Sequence, residues 1–324
     1  MVERFDCRDA FVSALEAAAE ADPRVVVLIS DSVSTVKIAS FLRRFPDRYI
    51  NVGIAEQDLV GVAAGLANGG YVPFVCAASV FIAGRAFEQV RVDVAYSGYG
   101  VKLCGMNQGF GYGPFGATHH AVEDVAWLRS IPDLPLVVPA DPLETEQAIR
   151  YAAGIPGPIY LRVTRTPTPS VHPPDYRFRL GRAVRLRDGD DVSLIACGVA
   201  VADALEAADA LAREGIGARV INMSTIEPID RDEIVEAARA TGAIVTAEEH
   251  SVIGGLGGAV AEVVVQTVPA VIEMVGVPGV FAPTGSSQWI RDLYGINAQG
   301  IEKAARRAIK RRDLRANHRP SQLG

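Results

Sequence analysis

The chain has 324 residues, nearly half of them hydrophobic, which is enough for two domains of ordinary size with substantial cores. Its formal net charge of −6 argues against general nucleic-acid binding, and no apolar run reaches the roughly 18 residues that span a bilayer. The charged N-terminus has no apolar segment typical of a signal peptide, and four scattered cysteines without a Cys-x-x-Cys pair predict a reducing cytoplasm, with neither zinc nor disulfides.

Strand-like and helix-like segments alternate through the first half of the chain. Apolar residues at helical spacing predict a helix over 8–21, and a continuous apolar run predicts a strand over 25–29 that is covered on both faces. The alternation that follows predicts a mostly parallel sheet with helices on both faces. The expected strands are 49–52, 71–77, 101–105, 134–138 and 158–163, and the expected helices begin at Glu56 and cover 84–96, 120–130 and 142–153.

A proline-rich segment without apolar periodicity follows, and it predicts a linker. Beyond it the alternation returns, so we expect a second unit of the same kind. Its strands are expected at 192–196, 218–222, 243–247 and 271–275, its helices at 200–214, 230–240 and 256–267, with a basic helix and tail over 302–319. The domain boundaries are therefore predicted as 1–165, a linker over 166–180, and 181–324.

The stretch 49–70, YINVGIAEQDLVGVAAGLANGG, places one acid where a strand passes into a helix. Ligands gather at the carboxyl ends of the strands in open α/β sheets, so a catalytic acid is one interpretation of Glu56. A carboxylate at a helix N-terminus is also stabilised by the helix dipole, so a purely structural charge is the alternative.

This stretch resembles the glutamate motif of the transketolase family, which uses thiamine diphosphate. The similarity is greatest to the separately encoded C-terminal half of split transketolases; it covers essentially the whole chain and is strongest at 49–70, 119–130 and 247–264. It implies two doubly wound, mostly parallel α/β domains, a pyrimidine-binding domain and a C-terminal domain. It also implies that Glu56 hydrogen-bonds the aminopyrimidine ring of the cofactor and shares a proton with it.

The same resemblance assigns an aromatic wall and a substrate histidine. Phe81 and Phe87 lie where the family places the aromatics of its cofactor pocket, although core packing is the ordinary role of a Phe. His119, in ATHHAVEDVAWLR, matches a histidine that faces the substrate and moves protons on its hydroxyls. A structural histidine near a helix start is the alternative.

Three further residues are candidates for binding a substrate phosphate, and two of them match family positions. Arg165 matches an arginine that binds the phosphate, and Arg162 is a possible second; guanidinium groups suit bidentate phosphate contacts. Thr35 matches a nearby hydroxyl. Surface charges and an ordinary turn residue are the alternatives.

Two departures from the family pattern concern the substrate side. The family loop carries a Gly-Glu-Asp-Gly run whose acid recognises a sugar hydroxyl, whereas this chain has Gly-Pro-Phe-Gly over 113–116. Asn107 stands where a second histidine is expected. We therefore expect Asn107 and Phe115 to line a substrate site that is more apolar than usual.

The family signature for magnesium and the diphosphate, a Gly-Asp-Gly followed by an Asn-containing run, is missing. GGLGG at 254–258 lacks the spacing of a phosphate loop, so close packing is its expected role. The resemblance thus implies an N-terminal partner subunit that holds the diphosphate and Mg²⁺, in an α2β2 heterotetramer, with no metal ligands in this chain.

The predicted function is the C-terminal subunit of a thiamine-diphosphate-dependent, transketolase-like transferase. It would move a two-carbon ketol unit from a ketose or ketose phosphate to an aldehyde acceptor. One alternative is a subunit of a thiamine enzyme that decarboxylates 2-oxoacids; another is a non-catalytic scaffold or regulatory subunit.

Overall fold

The computed structural model describes residues 3–317, with side chains through Arg315; residues 318 and 319 of the predicted basic tail lie outside this range. Strands in this range form a seven-stranded and a five-stranded sheet. The strands are β1 Val25–Ile29, β2 Tyr49–Asn51, β3 Val72–Ala78, β4 Lys102–Met106, β5 Leu136–Val137, β6 Ile159–Val163, β7 Val184–Arg187, β8 Val192–Ala196, β9 Ala218–Asn222, β10 Thr225–Glu227, β11 Ala243–Ser251 and β12 Val271–Val277.

The order of strands confirms the predicted fold class, two mostly parallel α/β sheets. The first sheet runs β10-β5-β6-β4-β3-β1-β2, and the second runs β12-β11-β8-β9-β7. The antiparallel pairs are β10 with β5 and β7 with β9. Neither β7 nor β10 is among the predicted strands.

Helices flank both sheets. They are α1 Cys7–Ala21, α2 Val33–Val36, α3 Ala39–Arg44, α4 Glu56–Asn68, α5 Ser79–Gly84, α6 Phe87–Gln89, α7 Asp124–Leu128, α8 Pro142–Gly154, α9 Ala200–Ala212, α10 Arg231–Thr241, α11 Leu256–Gln266, α12 Ser287–Leu293 and α13 Ala298–Asn317. Among residues 3–317, no helix is both long and apolar enough to cross a membrane.

The all-apolar sequence of β1 explains why the first sheet is covered on both faces. Its residues alternate between two buried clusters: Val27 packs in the cluster that contains Phe11 of α1, and Leu28 packs in the cluster that contains Leu59 of α4. A strand buried on both faces needs apolar residues at every position. Five neighbouring strands of this sheet pair in parallel, so their carboxyl ends meet at one edge, where the candidate residues lie. These strands are β1, β2, β3, β4 and β6.

Two predicted helices differ from the observed ones. The helix predicted over 84–96 begins earlier, at Ser79, and proceeds through α5, α6 and a π-helical turn at Val90–Tyr96. The helix predicted over 120–130 is reduced to α7, because the backbone of Ala121 exchanges two hydrogen bonds with Gly109 instead of entering a helix.

The proline-rich segment carries no regular element but is anchored at several points. Thr168 pairs with Phe5 in an antiparallel bridge, and the side chains of His172 and Tyr176 are buried. His172 Nδ1 lies 3.0 Å from the Asp141 carboxylate at the start of α8. The segment is therefore packed against the first unit over much of its length.

The two units share a continuous interior. One apolar cluster contains Leu103 and Leu136 of the first sheet together with Ile195 and Ile221 of the second. In addition, β10 belongs to the second half of the sequence but completes the first sheet by pairing with β5.

The basic side chains of α13 pair mainly with acids of the second unit. Arg306 bonds Glu214 at 2.6 Å and Glu302 at 2.7 Å, and Arg307 bonds Glu273 at 2.9 Å. Through these ion pairs, much of the basic run holds α13 against the second unit.

Candidate active site

Glu56 lies where the chain passes from β2 into α4. The Asn51 side chain accepts hydrogen bonds from the backbone N–H groups of Asp31 (3.1 Å) and Gly53 (3.0 Å), which fixes the loop before α4. Glu56 is the first residue of α4, and only 4% of it is exposed. The helix dipole stabilises a carboxylate at this position.

Arg85 joins this carboxylate to Phe81. Its Nη1 donates a hydrogen bond to Glu56 Oε2 at 3.1 Å, while no hydrogen bond among the described residues reaches Oε1. Its guanidinium carbon lies 3.8 Å from the centroid of the Phe81 ring, within cation–π range. Glu56 and Phe81 therefore lie on either side of one guanidinium group, and Arg85 is a site residue that the sequence reasoning missed.

The two candidate aromatics of the cofactor pocket have different surroundings. Phe81 contacts Arg85 and His119. Phe87 instead packs against the apolar cluster that lies between α4 and the sheet. These contacts favour core packing for Phe87 and leave Phe81 as the candidate for the pocket wall.

Three aromatic rings surround His119. The centroid of its ring lies 5.2 Å from Phe81, 5.2 Å from Phe115 and 5.8 Å from Tyr112. Its Nδ1 is 2.9 Å from the Thr118 hydroxyl. Because Phe81 contacts both Arg85 and His119, the structure brings the Glu56 and His119 sides together in one site.

The neighbouring histidine has a structural role. His120 is buried, its Nε2 lies 3.3 Å from the carbonyl of Gly113, and its ring meets Phe110 edge-on at 5.1 Å. Burial lowers the pKa of His120, which favours the neutral ring. The double histidine thus divides into one residue that faces the site and one that holds the loop.

A cavity of about 420 Å³ beside the aromatic cluster is lined by two arginines. Arg165 and Arg4 come from the first unit, and Ser287 and Gln288 come from the second. The Arg165 guanidinium lies 5.7 Å from the Tyr112 ring, so the cavity adjoins the rings around His119. Two guanidinium groups on one cavity suit an anionic group. Arg4 belongs to no motif, and the bridge between Phe5 and Thr168 brings it to this place.

Arg162 does not line the cavity with Arg165 but lies in the interior, so its expected substrate role needs correction. It is only 2% exposed, its Nε donates to Asp124 at 2.9 Å, and its Nη2 donates to the carbonyl of Ala121 at 2.7 Å. The guanidinium therefore binds α7 and the segment before it to β6. Because β6 is buried on both faces, Arg162 points into the interior and cannot meet a substrate.

Thr35 lies in α2, where its carbonyl accepts a 2.9 Å hydrogen bond from Arg8 Nη1. None of the contacts within residues 3–317 joins it to Arg165, so the structure does not bring these two candidates together.

Asn107 is a buried residue directly after β4 with a left-handed backbone, φ +59°, which Asn tolerates better than most residues. Neither its side-chain oxygen nor its nitrogen has a hydrogen-bond partner among the described residues. Since an unpaired buried amide is costly, this side chain is suited to receive a polar group of a ligand.

GGLGG at 254–258 is filled from within the chain. Glu248 accepts hydrogen bonds from the backbone N–H groups of Leu256 (2.7 Å) and Gly257 (2.8 Å) at the start of α11. A Cβ on Gly255 would lie 2.1 Å from Glu248 Oε2, so only glycine fits there. An internal carboxylate occupies the place where a phosphate would bind, and the glycines serve close packing.

Comparison with known proteins gives two family matches. The profile for the transketolase pyrimidine-binding domain matches residues 3–170, and the profile for the transketolase C-terminal domain matches residues 181–301. One of the subunits of the apulose-4-phosphate transketolase of Phocaeicola vulgatus is 40% identical over 306 residues, which is 94% of this chain and 98% of that protein. The 6-deoxy-6-sulfo-D-fructose transketolase subunit SqwH of Clostridium sp. strain MSTE9 is 38% identical over 308 residues, 95% of this chain and 96% of that protein.

A solved structure supports the same assignment. The chain of a split-gene transketolase described as an inactive β4 tetramer superposes with a TM-score of 0.88 at 44% identity, covering 94% of this chain and 99% of that one.

The fold and the matched domains define a two-domain thiamine-diphosphate enzyme of the transferase class. The chain belongs to the transketolase family, as the C-terminal subunit of a heteromeric, transketolase-like enzyme.

The residues around Glu56 fit one part of the cofactor that this family uses. A buried carboxylate with one oxygen free of hydrogen bonds from the described residues, close to an aromatic ring, suits a planar heterocycle that donates hydrogen bonds. Within residues 3–317, no cluster of three His, Cys, Asp or Glu side chains could hold a metal ion.

Proposed function

We propose that this chain and an N-terminal, diphosphate-binding subunit together move a two-carbon ketol unit from a ketose or ketose phosphate to an aldehyde acceptor. The observation that carries the proposal is a buried carboxylate and an aromatic ring that lie on either side of one guanidinium group. Glu56 and Phe81 offer a carboxyl and a ring for a pyrimidine. The relatives named above are transketolase subunits, which supports a partner subunit for this chain as well.

The side chains have distinct roles in this proposal. The bound thiamine diphosphate supplies the nucleophilic carbon and the electron sink. Glu56 hydrogen-bonds the pyrimidine ring and shares a proton with it, while Phe81 flanks the ring. His119 moves protons on substrate hydroxyls, a role that contributes on the order of 10²–10⁴-fold to rates.

The substrate would lie between the aromatic cluster and the arginine cavity. Arg165 and Arg4 would bind a phosphate at one end, and the Asn107 amide would meet a polar group. Phe115, which is 62% exposed, would cover an apolar part of the substrate. Thr35 remains a weaker candidate for the phosphate end because it makes no contact with Arg165 in the described structure.

The proposed partner holds the diphosphate together with Mg²⁺, and two copies of each chain form an α2β2 heterotetramer in the cytoplasm. The four free, buried cysteines are compatible with a reducing compartment. We retain the proposed domains, 1–165 and 181–324, with the segment 166–180 between them.

Calorimetry tests the shared site. The chain alone should bind thiamine diphosphate weakly or not at all, and the chain mixed with its partner should bind it in the presence of Mg²⁺. Tight, Mg²⁺-dependent binding by the chain alone would contradict the proposal.

The rings of Tyr112 and Phe115 around His119 favour a second candidate, a thiamine enzyme that decarboxylates a 2-oxoacid and transfers the remaining unit. Phe115 belongs to Gly-Pro-Phe-Gly, 113–116, which stands where the family pattern has the acid-bearing run that recognises sugar hydroxyls. Mass spectrometry of the assembled enzyme with ketose donors and with 2-oxoacids separates the two, because only the second reaction releases CO₂.

A further inference from the structure

Arg85 contacts both side chains that the proposed function assigns to the pyrimidine ring, Glu56 and Phe81. It bonds Glu56 Oε2 at 3.1 Å, and its guanidinium carbon lies 3.8 Å from the centroid of Phe81. This is already a stacking distance, since non-bonded carbon atoms have their optimal separation at about 3.5–4.0 Å. A planar heterocycle that reaches Glu56 across Phe81 would enter the layer that the guanidinium fills.

The Arg85 side chain has room to leave this position. It is 51% exposed, whereas the Glu56 side chain is 4% exposed. The helix end before it packs closely on Trp127, since a Cβ on Gly84 would lie 3.1 Å from that ring. A change of rotamer can therefore move the Arg85 guanidinium into solvent without a shift of the helix end.

We infer that Arg85 stands in for the aminopyrimidine ring of the cofactor in the unassembled subunit and is displaced when that ring binds. The inference rests on the proposed function and adds a residue that sets cofactor affinity. A buried carboxylate without a partner is costly, so Glu56 needs a substitute partner until the cofactor arrives. Arginine suits this task because its planar guanidinium both donates to carboxylates and stacks on aromatic rings.

The first experiment uses the chain alone. Arg85→Met should lower its thermal unfolding midpoint, because Glu56 is left without a partner, and adding Glu56→Gln should recover most of the loss. Arg91→Met is the matched control: Arg91 is exposed on the same stretch of chain and should leave the midpoint unchanged. An unchanged midpoint for Arg85→Met would show that the contact does not satisfy Glu56 and would overturn the inference.

The second experiment measures thiamine diphosphate binding to the chain assembled with its partner and Mg²⁺. Arg85→Met should bind about tenfold more tightly than the wild type, Arg85→Lys should lie between them because lysine does not stack as a planar group, and Arg91→Met should match the wild type. Equal or weaker binding by both Arg85 variants would overturn the inference. If the wild-type assembly binds no thiamine diphosphate, it is the proposed function that fails.

Discussion

At the scale of single residues, Glu56→Gln keeps the size of the side chain and a hydrogen bond but removes the acidic proton. We expect turnover of the assembled enzyme to fall by on the order of 10²–10⁴-fold with the fold retained. Exchange of the C2 proton of bound thiamine diphosphate, followed by NMR, should slow in parallel. The exposed Glu88→Gln serves as the control, and unchanged exchange in Glu56→Gln would remove Glu56 from the mechanism.

The arginine cavity makes a separate prediction. Arg165→Ala and Arg4→Ala should each raise KM for a phosphorylated substrate by roughly 10–100-fold, since a hydrogen bond to a charged group is worth about 1.5–3 kcal/mol. An unphosphorylated analogue should be little affected. Arg179→Ala, an exposed arginine that does not line the cavity, is the control. Equal changes for both substrates would place the arginines outside the phosphate site.

The sequence indicates residues that sit at regular positions in the fold and misses those placed by long-range contacts. The place of Glu56 at the start of α4 follows from the passage of a strand into a helix. Arg85 and Arg4 do not, because their roles depend on a contact with Glu56 29 positions away and on the pairing of Phe5 with Thr168. The burial of Arg162 depends likewise on Asp124, 38 positions earlier.

At the scale of elements, the loop between β4 and α7 carries Asn107, Phe115 and His119, the residues proposed for the substrate side. Phe115 ends a 3₁₀ turn, and the carbonyl of Gly113 in that turn accepts a hydrogen bond from Gly285 at 3.2 Å, so the second unit supports the loop. A Phe cannot bond a substrate hydroxyl, and an unpaired hydroxyl costs roughly 1–3 kcal/mol.

Phe115→Asp should therefore raise the ratio of kcat/KM for a ketose phosphate to that for a deoxygenated or aromatic aldehyde acceptor. Phe115→Leu, which stays apolar, should leave the ratio near the wild-type value. The loop is not the selector if the wild type already prefers ordinary sugar phosphates and Phe115→Asp leaves the ratio unmoved.

Elements with strong apolar patterns were predictable, and irregular ones were not. The bounds of β8 and β9 agree with the predicted strands 192–196 and 218–222, whose sequences, VSLIA and ARVIN, are mostly apolar and buried at every position. β10 was not predicted because it has only three residues and forms through its pairing with β5. The short α7 reflects a competing backbone bridge that apolar spacing does not reveal.

At the scale of the whole molecule, a buried polar cluster joins the proline-rich segment to both units. His172 lies against Asp141, Tyr176 donates to Glu144 at 2.7 Å, and Asn222 of β9 donates to Glu144 at 3.0 Å. Burial opposes the charged form of His172, but the Asp141 contact and the charge of Glu144 outweigh it and raise the pKa of His172.

The raised pKa predicts the direction of a pH effect. The charged His172 contributes stability that is fully present below its unfolded pKa of about 6.5 and is lost as pH rises through the higher folded value. In urea unfolding, the free energy of unfolding of the wild type should fall relative to that of His172→Gln above pH 6.5. His119→Gln, outside the cluster, should follow the wild type. Parallel curves for the wild type and His172→Gln would contradict the prediction.

The pairing of β10 with β5 also bears on the synthesis of the chain. β10 ends 64 residues after β6, so at about 5–20 residues per second the ribosome needs roughly 3 to 13 s more to deliver the last strand of the first sheet. During that interval the edge of β5 that β10 later covers has no strand beside it, and an unpaired edge can pair with another chain. A chain truncated within the proline-rich segment would lack β10 and would keep this edge of β5 unpaired.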